Sequence, residues 1–418
     1  MQRDNAHGGL PLPFEGLRVL DVSQGIAGPY CAQVLWQQGA DVIKVEPPAG
    51  DWGRSIGIPH GQLSALSAAY NGGKRALALD ASTPAGKALL LELALQADVL
   101  VQNYRPGVAE RLGIGAQALL ASKPSLVYVS VSGYGPDGPY AKLAATDSVL
   151  QADSGLMHSN RDIATGQPRK IGLLLADVAT GLYAAQAASA SLYRQARTGR
   201  GGHVQVSLFD ASIAFQAYNL SDFNLAPDAP ASIVSAPNGT FHARDGYMNL
   251  TVLNDTQFAG LCTALAQPQW RDDPRFATAA ARLAHAATIN GLVAEVLATD
   301  DRENWVARLR EQDVLHSIVR DYRDLYAHPQ AIAQQTFQTL NHPAQPAPAE
   351  DGRVAADERL FELRLPGMPD RGTRRPLTPS PAIGEHSVAI LREAGLDTAR
   401  IDRLLTDKVV VQRAEPSA

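Results

Sequence analysis

Cysteine is scarce in this chain: 418 residues hold two, Cys31 and Cys262. They lie far apart and match no metal-ligand spacing, and two thiols so placed build no disulfide framework. Each reads as a small core side chain in a reducing compartment, which points to the cytoplasm. Charge of one sign is also in short supply. The formal net charge is −5, with no clustered basic face of the kind a nucleic acid would need. No apolar run approaches the roughly 18 residues required to span a bilayer. Met1 to Pro13 is polar with Gly and Pro and lacks the pattern of a signal peptide, so it is expected to fray.

Several catalytic signatures are missing too. The first strand–helix turn reads SQGIAGP, without the G-x-G-x-x-G that lets a pyrophosphate approach a helix N-terminus. Glu46 ends the second strand, where a ribose-binding acid would stand, but without the glycines a nicotinamide-dependent oxidoreductase is disfavoured. There is no Walker motif. The ten histidines are scattered with no H-E-x-x-H spacing, and no G-x-S-x-G elbow occurs. Zinc and serine hydrolases therefore have no support.

What is present is an ordinary globular composition, 45% hydrophobic and 19% charged, in a chain long enough for two or three structural units at roughly 100–200 residues each. Strand-like and helix-like segments alternate. Residues 17–22 (LRVLDV), 41–46 (DVIKVE), 76–80, 98–103 and 125–132 (SLVYVSVS) read as strands; 28–38, 83–96 and a stretch around 108–112 read as helices. Pro84 suits a first helical turn. Such βαβ repetition predicts an α/β, doubly wound, Rossmann-like domain. Residues 133–140 (GYGPDGPY) form a turn-rich loop. A long Ala-rich helix is expected over 177–195, stopped by the glycines of RTGRGG, then a strand over 203–209. Beyond residue 210 the pattern breaks. We read 1–210 as the N-terminal part of the large domain and 211–236 as a linker. Residues 237–330 read as a small α+β domain, and 331–418 as a second linker with the C-terminal part of the large domain. Gly384–Gly395 has helical spacing.

Three local features invite chemistry. Asp177 sits between apolar residues at the head of a helix that is nearly apolar all round and so expected to be buried. It reads either as a helix N-cap, worth about 1 kcal/mol, or as a functional carboxylate held ionised by backbone donors and the helix dipole. Arg105 and Arg111 flank a turn after a strand end, either as surface arginines or as phosphate contacts at the carboxyl edge of a parallel sheet. Tyr134 lies between Gly133 and Gly135, which fits plain turn chemistry or close approach of backbone to a ligand.

Taken in order, GLRVLDVSQGIAGPYCAQVL (16–35), GADVIKVEPPAGD (39–51), NGGKRALALD (71–80), ADVLVQNYRPGVAERLG (97–113), VYVSVSGYGPDGPY (127–140), TDSVLQADSG (146–155), LLADVATGLYAA (174–185), RTGRGGHVQVSLFD (197–210), PNGTFHARDGYMNL (237–250) and IGEHSVAILREAG (383–395) resemble the class III CoA-transferase family, CaiB/BaiF type. The resemblance implies a Rossmann-like large domain made from both chain ends, a small inserted domain and an interlocked homodimer. It carries the role of covalent nucleophile onto Asp177. It implies coenzyme A contacts at Gln24, at Leu79 to Ser82 including Asp80, at Asn103, Tyr104 and Arg105, at Arg111, and at the Ser132 to Gly135 turn with Gly133 and Tyr134. It implies no tightly bound cofactor, coenzyme A and acyl-CoA being substrates beside a carboxylic acid acceptor.

The chain also departs from that pattern. Formyl-CoA transferases have Gln at the place of Ile26, Arg at Pro47, Trp near Ile56 and a glycine-rich loop where this chain has PNGTFH, so a formyl or oxalate specificity is not expected. The related 2-methylacyl-CoA racemases use a His where this chain has Thr146-Asp147, which weakens that alternative. A non-catalytic acyl-CoA-binding protein is the other.

Overall fold

The computed structural model describes residues 11–57, 63–162, 165–227, 233–340, 360–367 and 375–413; most of the expected frayed leader and of the second linker lies outside them. In chain order the first elements are β1 (Arg18–Asp21), α1 (Ala27–Gln37), β2 (Asp41–Glu46), α2 (Ala65–Asn71), β3 (Arg75–Leu79), α3 (Pro84–Gln96), β4 (Val99–Gln102), α4 (Val108–Arg111), α5 (Ala116–Ser122), β5 (Val127–Ser132), α6 (Asp147–Asp153), α7 (Leu156–Ser159), α8 (Leu175–Thr198), β6 (Gly202–Ser207), α9 (Leu208–Ala214) and α10 (Ala217–Leu225). Next come β7 (Asn238–Ala243), β8 (Gly246–Thr251), α11 (Asp255–Ala264), α12 (Ala279–Ala284), α13 (Ala286–Leu297), α14 (Arg302–Glu311), β9 (Leu315–Ile318), α15 (Tyr322–Tyr326) and α16 (Pro329–Gln334). The chain ends with β10 (Phe337–Leu340), β11 (Leu360–Leu363), α17 (Ser387–Glu393), α18 (Thr398–Thr406) and β12 (Val410–Val411).

These elements make two compact units, one from residues up to Asn219 together with those from Gln334 onward, the other from Leu220 to Ala333. In the first, seven strands pair in the order β12-β3-β2-β1-β4-β5-β6. Every pairing is parallel except that of β12, which runs antiparallel to β3 through Val410 opposite Leu79. The parallel part, 3-2-1-4-5-6, is the dinucleotide-fold order, whose direction reverses between β1 and β4; ligands of such sheets bind outside the carboxyl ends of the strands at that point. The C-terminal strand closing the edge went unforeseen, because two residues carry no readable periodicity.

Two apolar layers sandwich the sheet. On one face Leu20, Ile43, Leu77, Leu100 and Tyr128 pack with Leu89 and Leu93 of α3, Leu119 of α5 and Ile390 and Ile401 of α17 and α18. On the other, Val19, Val42, Val99, Val127 and Val129 pack with Cys31 and Leu35 of α1 and Ala184, Ala188 and Leu192 of α8. The helix α8 is longer than expected at both ends and stops at Gly199 in the left-handed region, where glycine pays no Cβ penalty. Its burial is one-sided. The row Ala176, Ala179, Thr180, Ala184, Ala188 is buried, whereas Leu182 and Tyr193 are exposed.

Part of the segment read as linker is helical, in α9 and α10. None of the residues of α10 is buried, although it carries Tyr218, Leu220, Phe223 and Leu225. The second unit is a three-stranded antiparallel sheet, β7-β8-β9, with helices around a core of Phe241, Met248, Leu250, Phe258, Trp270, Phe276, Ile289 and Trp305. There the fully buried Arg282 pairs with Asp255 at 2.7 Å and lies over the Phe258 ring. No described helix is long and apolar enough to cross a membrane.

Candidate active site

A buried ion cluster sets the floor of the switch point. Lys74 donates to Asp21 Oδ2 at 2.8 Å, to Asn71 Oδ1 at 2.9 Å and to the Pro29 carbonyl at 2.8 Å. Lys44 donates to Asp51 Oδ2 at 2.9 Å and to the Ser23 carbonyl, and the Ser23 hydroxyl donates to Asp21. Burial opposes ionisation of Asp21, but Lys44 and Lys74 beside it hold its carboxyl below the usual range. Asp51 in turn accepts from the N–H groups of Gly25 and Gly53. Charges this deep persist only when paired and hydrogen-bonded; here the pairing anchors the loop after β1. Glu46, at the site of a would-be ribose acid, is taken by Arg54 through two 2.7 Å bonds.

On that floor the residues named from sequence line the carboxyl edge. Asn103, past β4, holds Gln24, past β1, by both backbone groups. Tyr104 N–H donates to Gln102 Oε1, and burial pushes its phenol up to about 12. Leu79 as a whole is 2% exposed and its carbonyl takes the Ala81 N–H, so the contact expected there has no exposed group to make it. Asp80 accepts from the N–H and hydroxyl of Ser82, which lowers its carboxyl. Arg105 and Arg111 are exposed, and neither guanidinium has an ion pair among the described residues.

In the turn after β5, a Cβ on Gly133 would lie 2.3 Å from Ala145 Cβ, and Gly135 has φ +95. Both positions demand glycine. The Gly135 N–H donates to Ser132 Oγ, so it is already engaged and not a free oxyanion donor. The Tyr134 ring packs edge-on to Tyr140 and tilted on Phe209, and its hydroxyl bonds Asp153, which raises the phenol.

Asp177 sits at the same edge, because α8 is the crossover between parallel β5 and β6 and so begins at the carboxyl side. It is not the N-cap. That position is Leu174, which has no side chain to offer, and Asp177 is the third helical residue. The capping acceptor comes from another helix: Asp147 Oδ2 takes the Ala176 N–H at 2.9 Å, one of the orphan donors of the first turn. Asp147 is 4% exposed.

Its orientation is fixed by Gln151, one turn along α6. The Gln151 Nε2 donates to Asp147 Oδ1 at 2.8 Å and to the Leu173 carbonyl at 2.9 Å, while its Oε1 takes the Ile171 N–H. Asp177 is left with no hydrogen bond to its carboxylate among the described residues. Burial, with the charge of Asp147 second, raises that carboxyl to about 7.

Two phenols stand nearby. Tyr30 of α1 and Tyr70 of α2 meet edge-to-face at 5.3 Å. Burial, Tyr30 and then Asp177 push the Tyr70 phenol to about 12. Tyr30 lies one turn below Asp177, against Gly181. Sequence reasoning missed Asp147, Gln151, Tyr30 and Tyr70. The D-x-x-x-Q spacing in TDSVLQ was readable, but a cap supplied across 29 residues is not a local pattern. Thr146, at the place of the racemase base, caps α6 by accepting from Val149 N–H.

Comparisons with known proteins give the family. The profile of CoA-transferase family III matches residues 14–387. A succinate–glutarate CoA-transferase of Agrobacterium fabrum is 32% identical over 91% of this chain and 95% of its own length. An acetyl-CoA:oxalate CoA-transferase of Acetobacter aceti is 34% identical over 73% of this chain and 78% of its own. The crystal structure of a CaiB/BaiF family protein from Brucella suis superposes with a TM-score of 0.80 at 32% identity, covering 92% of this chain and 100% of that one. The chain belongs to CoA-transferase family III and is an enzyme that moves coenzyme A from an acyl-CoA thioester to a free carboxylic acid.

Proposed function

We propose that Asp177 is the covalent nucleophile of this transfer. The observation that carries the reading is a carboxylate at the carboxyl edge of the sheet with no hydrogen bond of its own and a raised pKa, in a chain whose neighbouring residues satisfy the helix terminus for it. An Asp177 oxygen attacks the donor thioester carbon, the C–S bond breaks, and coenzyme A leaves as thiolate from a mixed anhydride. The thiolate attacks the aspartyl carbonyl and expels the donor acid as carboxylate, leaving an enzyme thioester. The acceptor carboxylate attacks that thioester, the thiolate leaves and then takes the acyl group of the new anhydride, and Asp177 is regenerated. No proton is consumed, and each hard step is split into easier ones.

A carboxylate is a weak nucleophile in water; a positioned, desolvated one is better, which accords with the half-buried position of Asp177. The coenzyme A contacts proposed are the loops after β1 and β3 at Gln24 and Asp80, the Asn103–Arg105 segment, and the Gly133–Tyr134–Gly135 turn. The free guanidiniums of Arg105 and Arg111 suit phosphates. For the acids we propose a small dicarboxylic or hydroxy acid acceptor and a succinyl-CoA-like donor, a choice supported by the dicarboxylates named for the two relatives.

We further read the enzyme as a homodimer of the family's interlocked kind. Its support is the bare apolar face of α10, with Tyr218, Phe223 and Leu225 exposed by 60% or more, and the exposed Leu182 and Tyr193 of α8. Patches of this sort mark protein contacts. Two buried free thiols suit a cytoplasmic setting.

The test is Asp177→Ala. It should fold and bind coenzyme A yet lose transfer. Incubating the native enzyme with acyl-CoA and hydroxylamine or borohydride should modify Asp177, read by peptide mass. Turnover retained in Asp177→Ala would falsify the assignment. A screen of free carboxylic acids against succinyl-CoA, acetyl-CoA and formyl-CoA identifies the acids.

A further inference from the structure

We propose that Asp147 is the positioning residue of the transfer: by capping α8 from α6 it leaves the Asp177 carboxylate without a structural hydrogen bond and sets a second buried carboxylate beside it. The inference rests on the reading of Asp177 as nucleophile. A carboxylate at a helix start ordinarily spends a lone pair on an orphan N–H. Such a bond stabilises the charge and lowers the basicity of the oxygen that has to attack. In this chain the bond is made by Asp147 to Ala176, the residue next to Asp177.

The arrangement is held on every side. Gln151 ties Asp147 to the chain entering α8 at both Ile171 and Leu173. Thr146 starts α6 at the residue before Asp147, and Gly181 lets α8 rest against α1 one turn past Asp177.

The groups on the elements around Asp177 are few. α6 brings Asp147 and, at its far end, Asp153. α1 brings Tyr30 and the buried Cys31 thiol, α2 brings Tyr70, α9 brings Asp210 bonded to Ser207, and β5 and β6 bring Tyr128 and His203. Of these, Asp147 alone adds a charge effect to the burial that raises Asp177. Two carboxylates so placed resist joint ionisation, so the nucleophile keeps the basicity that attack on a thioester rewards.

Cap and charge can be separated by substitution in the full-length enzyme. Asp147→Asn keeps one oxygen for the Ala176 N–H and removes the charge, together with the bond from Gln151 Nε2. Asp147→Glu keeps the charge and displaces the acceptor. Each is assayed for kcat and KM across pH with succinyl-CoA and a free dicarboxylic acid, and its fold is checked by thermal unfolding.

In Asp147→Asn the acid limb of kcat/KM should move to lower pH by about one unit or more, the plateau kcat should fall at least tenfold, and KM for the donor should hold within threefold. In Asp147→Glu the limb should stay and kcat should fall. An unmoved acid limb with kcat within twofold in Asp147→Asn overturns the proposal. If that variant does not fold, Asp147→Glu decides alone, and unchanged kcat there counts against a positioning role. Mass spectrometry of the trapped native enzyme keeps the two readings apart. Label on Asp177 with an indifferent Asp147 sinks only this inference, whereas absence of label during turnover sinks the nucleophile itself.

Discussion

Asn103 grips Gln24 across the point where the strand order reverses: its Oδ1 accepts from the Gln24 N–H at 2.8 Å and its Nδ2 donates to the Gln24 carbonyl at 2.6 Å. One side chain at the end of β4 thus satisfies both backbone groups of a residue at the end of β1. The two loops that bound the ligand crevice of the sheet are held as one piece.

Removing that grip should loosen the proposed coenzyme A site more than the chemistry. Each lost hydrogen bond is worth about 0.5–1.5 kcal/mol, so Asn103→Ala should raise KM for acyl-CoA roughly tenfold with a smaller change in kcat. Steady-state kinetics decides. An unchanged KM would mean that the loop after β1 keeps its shape without Asn103.

A second expectation concerns stability against pH. Asp177 titrates at about 7 when folded and at roughly 3.9 when unfolded. The folded state therefore prefers the protonated form, and ionising Asp177 costs stability progressively as pH climbs from about 4 through about 7. Asp177→Asn should raise Tm at pH 8, and the gain should shrink towards zero near pH 4. Thermal melts at a series of pH values test this. A gain independent of pH would show that the carboxyl is not raised.

The buried cluster under the loop allows a third. Lys74 and Asp21 are both completely buried. Lys74→Met leaves Asp21 charged with one ammonium fewer, a class of change that costs about 3–5 kcal/mol. Chemical denaturation should show that loss. The double variant Lys74→Met, Asp21→Leu should recover part of it, because no lone charge remains.

Much of the sheet was legible. The β2 strand falls on residues 41–46 as expected, and β1, β4 and β5 each end within a residue or two of their expected limits, because buried parallel strands read as unbroken apolar runs. What escaped was set by tertiary contact. Asp177 looked like a cap by the local rule for Asp, yet the cap is Asp147, brought to Ala176 by the fold and not by spacing. The linker reading of 211–236 missed α10, whose apolar residues find no core within the described chain. β7 begins at Asn238, just inside the small domain read as 237–330. The order of motifs along the chain carried the family better than any motif alone, since Arg105, Arg111 and Tyr134 were each ambiguous by themselves.

The seating of α8 on α1 gives a last prediction, one that separates position from chemistry. A Cβ at Gly181 would stand 2.8 Å from the Ala27 carbonyl oxygen and 2.9 Å from Tyr30 Cδ1, closer than real contacts allow. The carbonyl belongs to the backbone of α1 and cannot swing away, so α8 itself must shift. Overpacking of this kind costs about 1–3 kcal/mol, and a displacement near 1 Å at a reacting group can cost about a hundredfold in rate. Gly181→Ala should therefore lower kcat at least tenfold while KM for acyl-CoA, on the proposal that the loops after β1, β3 and β4 hold it, stays within threefold. Gly291→Ala is the control: its added methyl meets nothing within 4 Å, and in mid-helix alanine is favoured over glycine by about 1 kcal/mol. That variant should melt slightly higher with unaltered kinetics. Equal kcat in Gly181→Ala and native enzyme would mean that α8 can move off α1 without moving Asp177, and the rigid seating argued for it would be wrong.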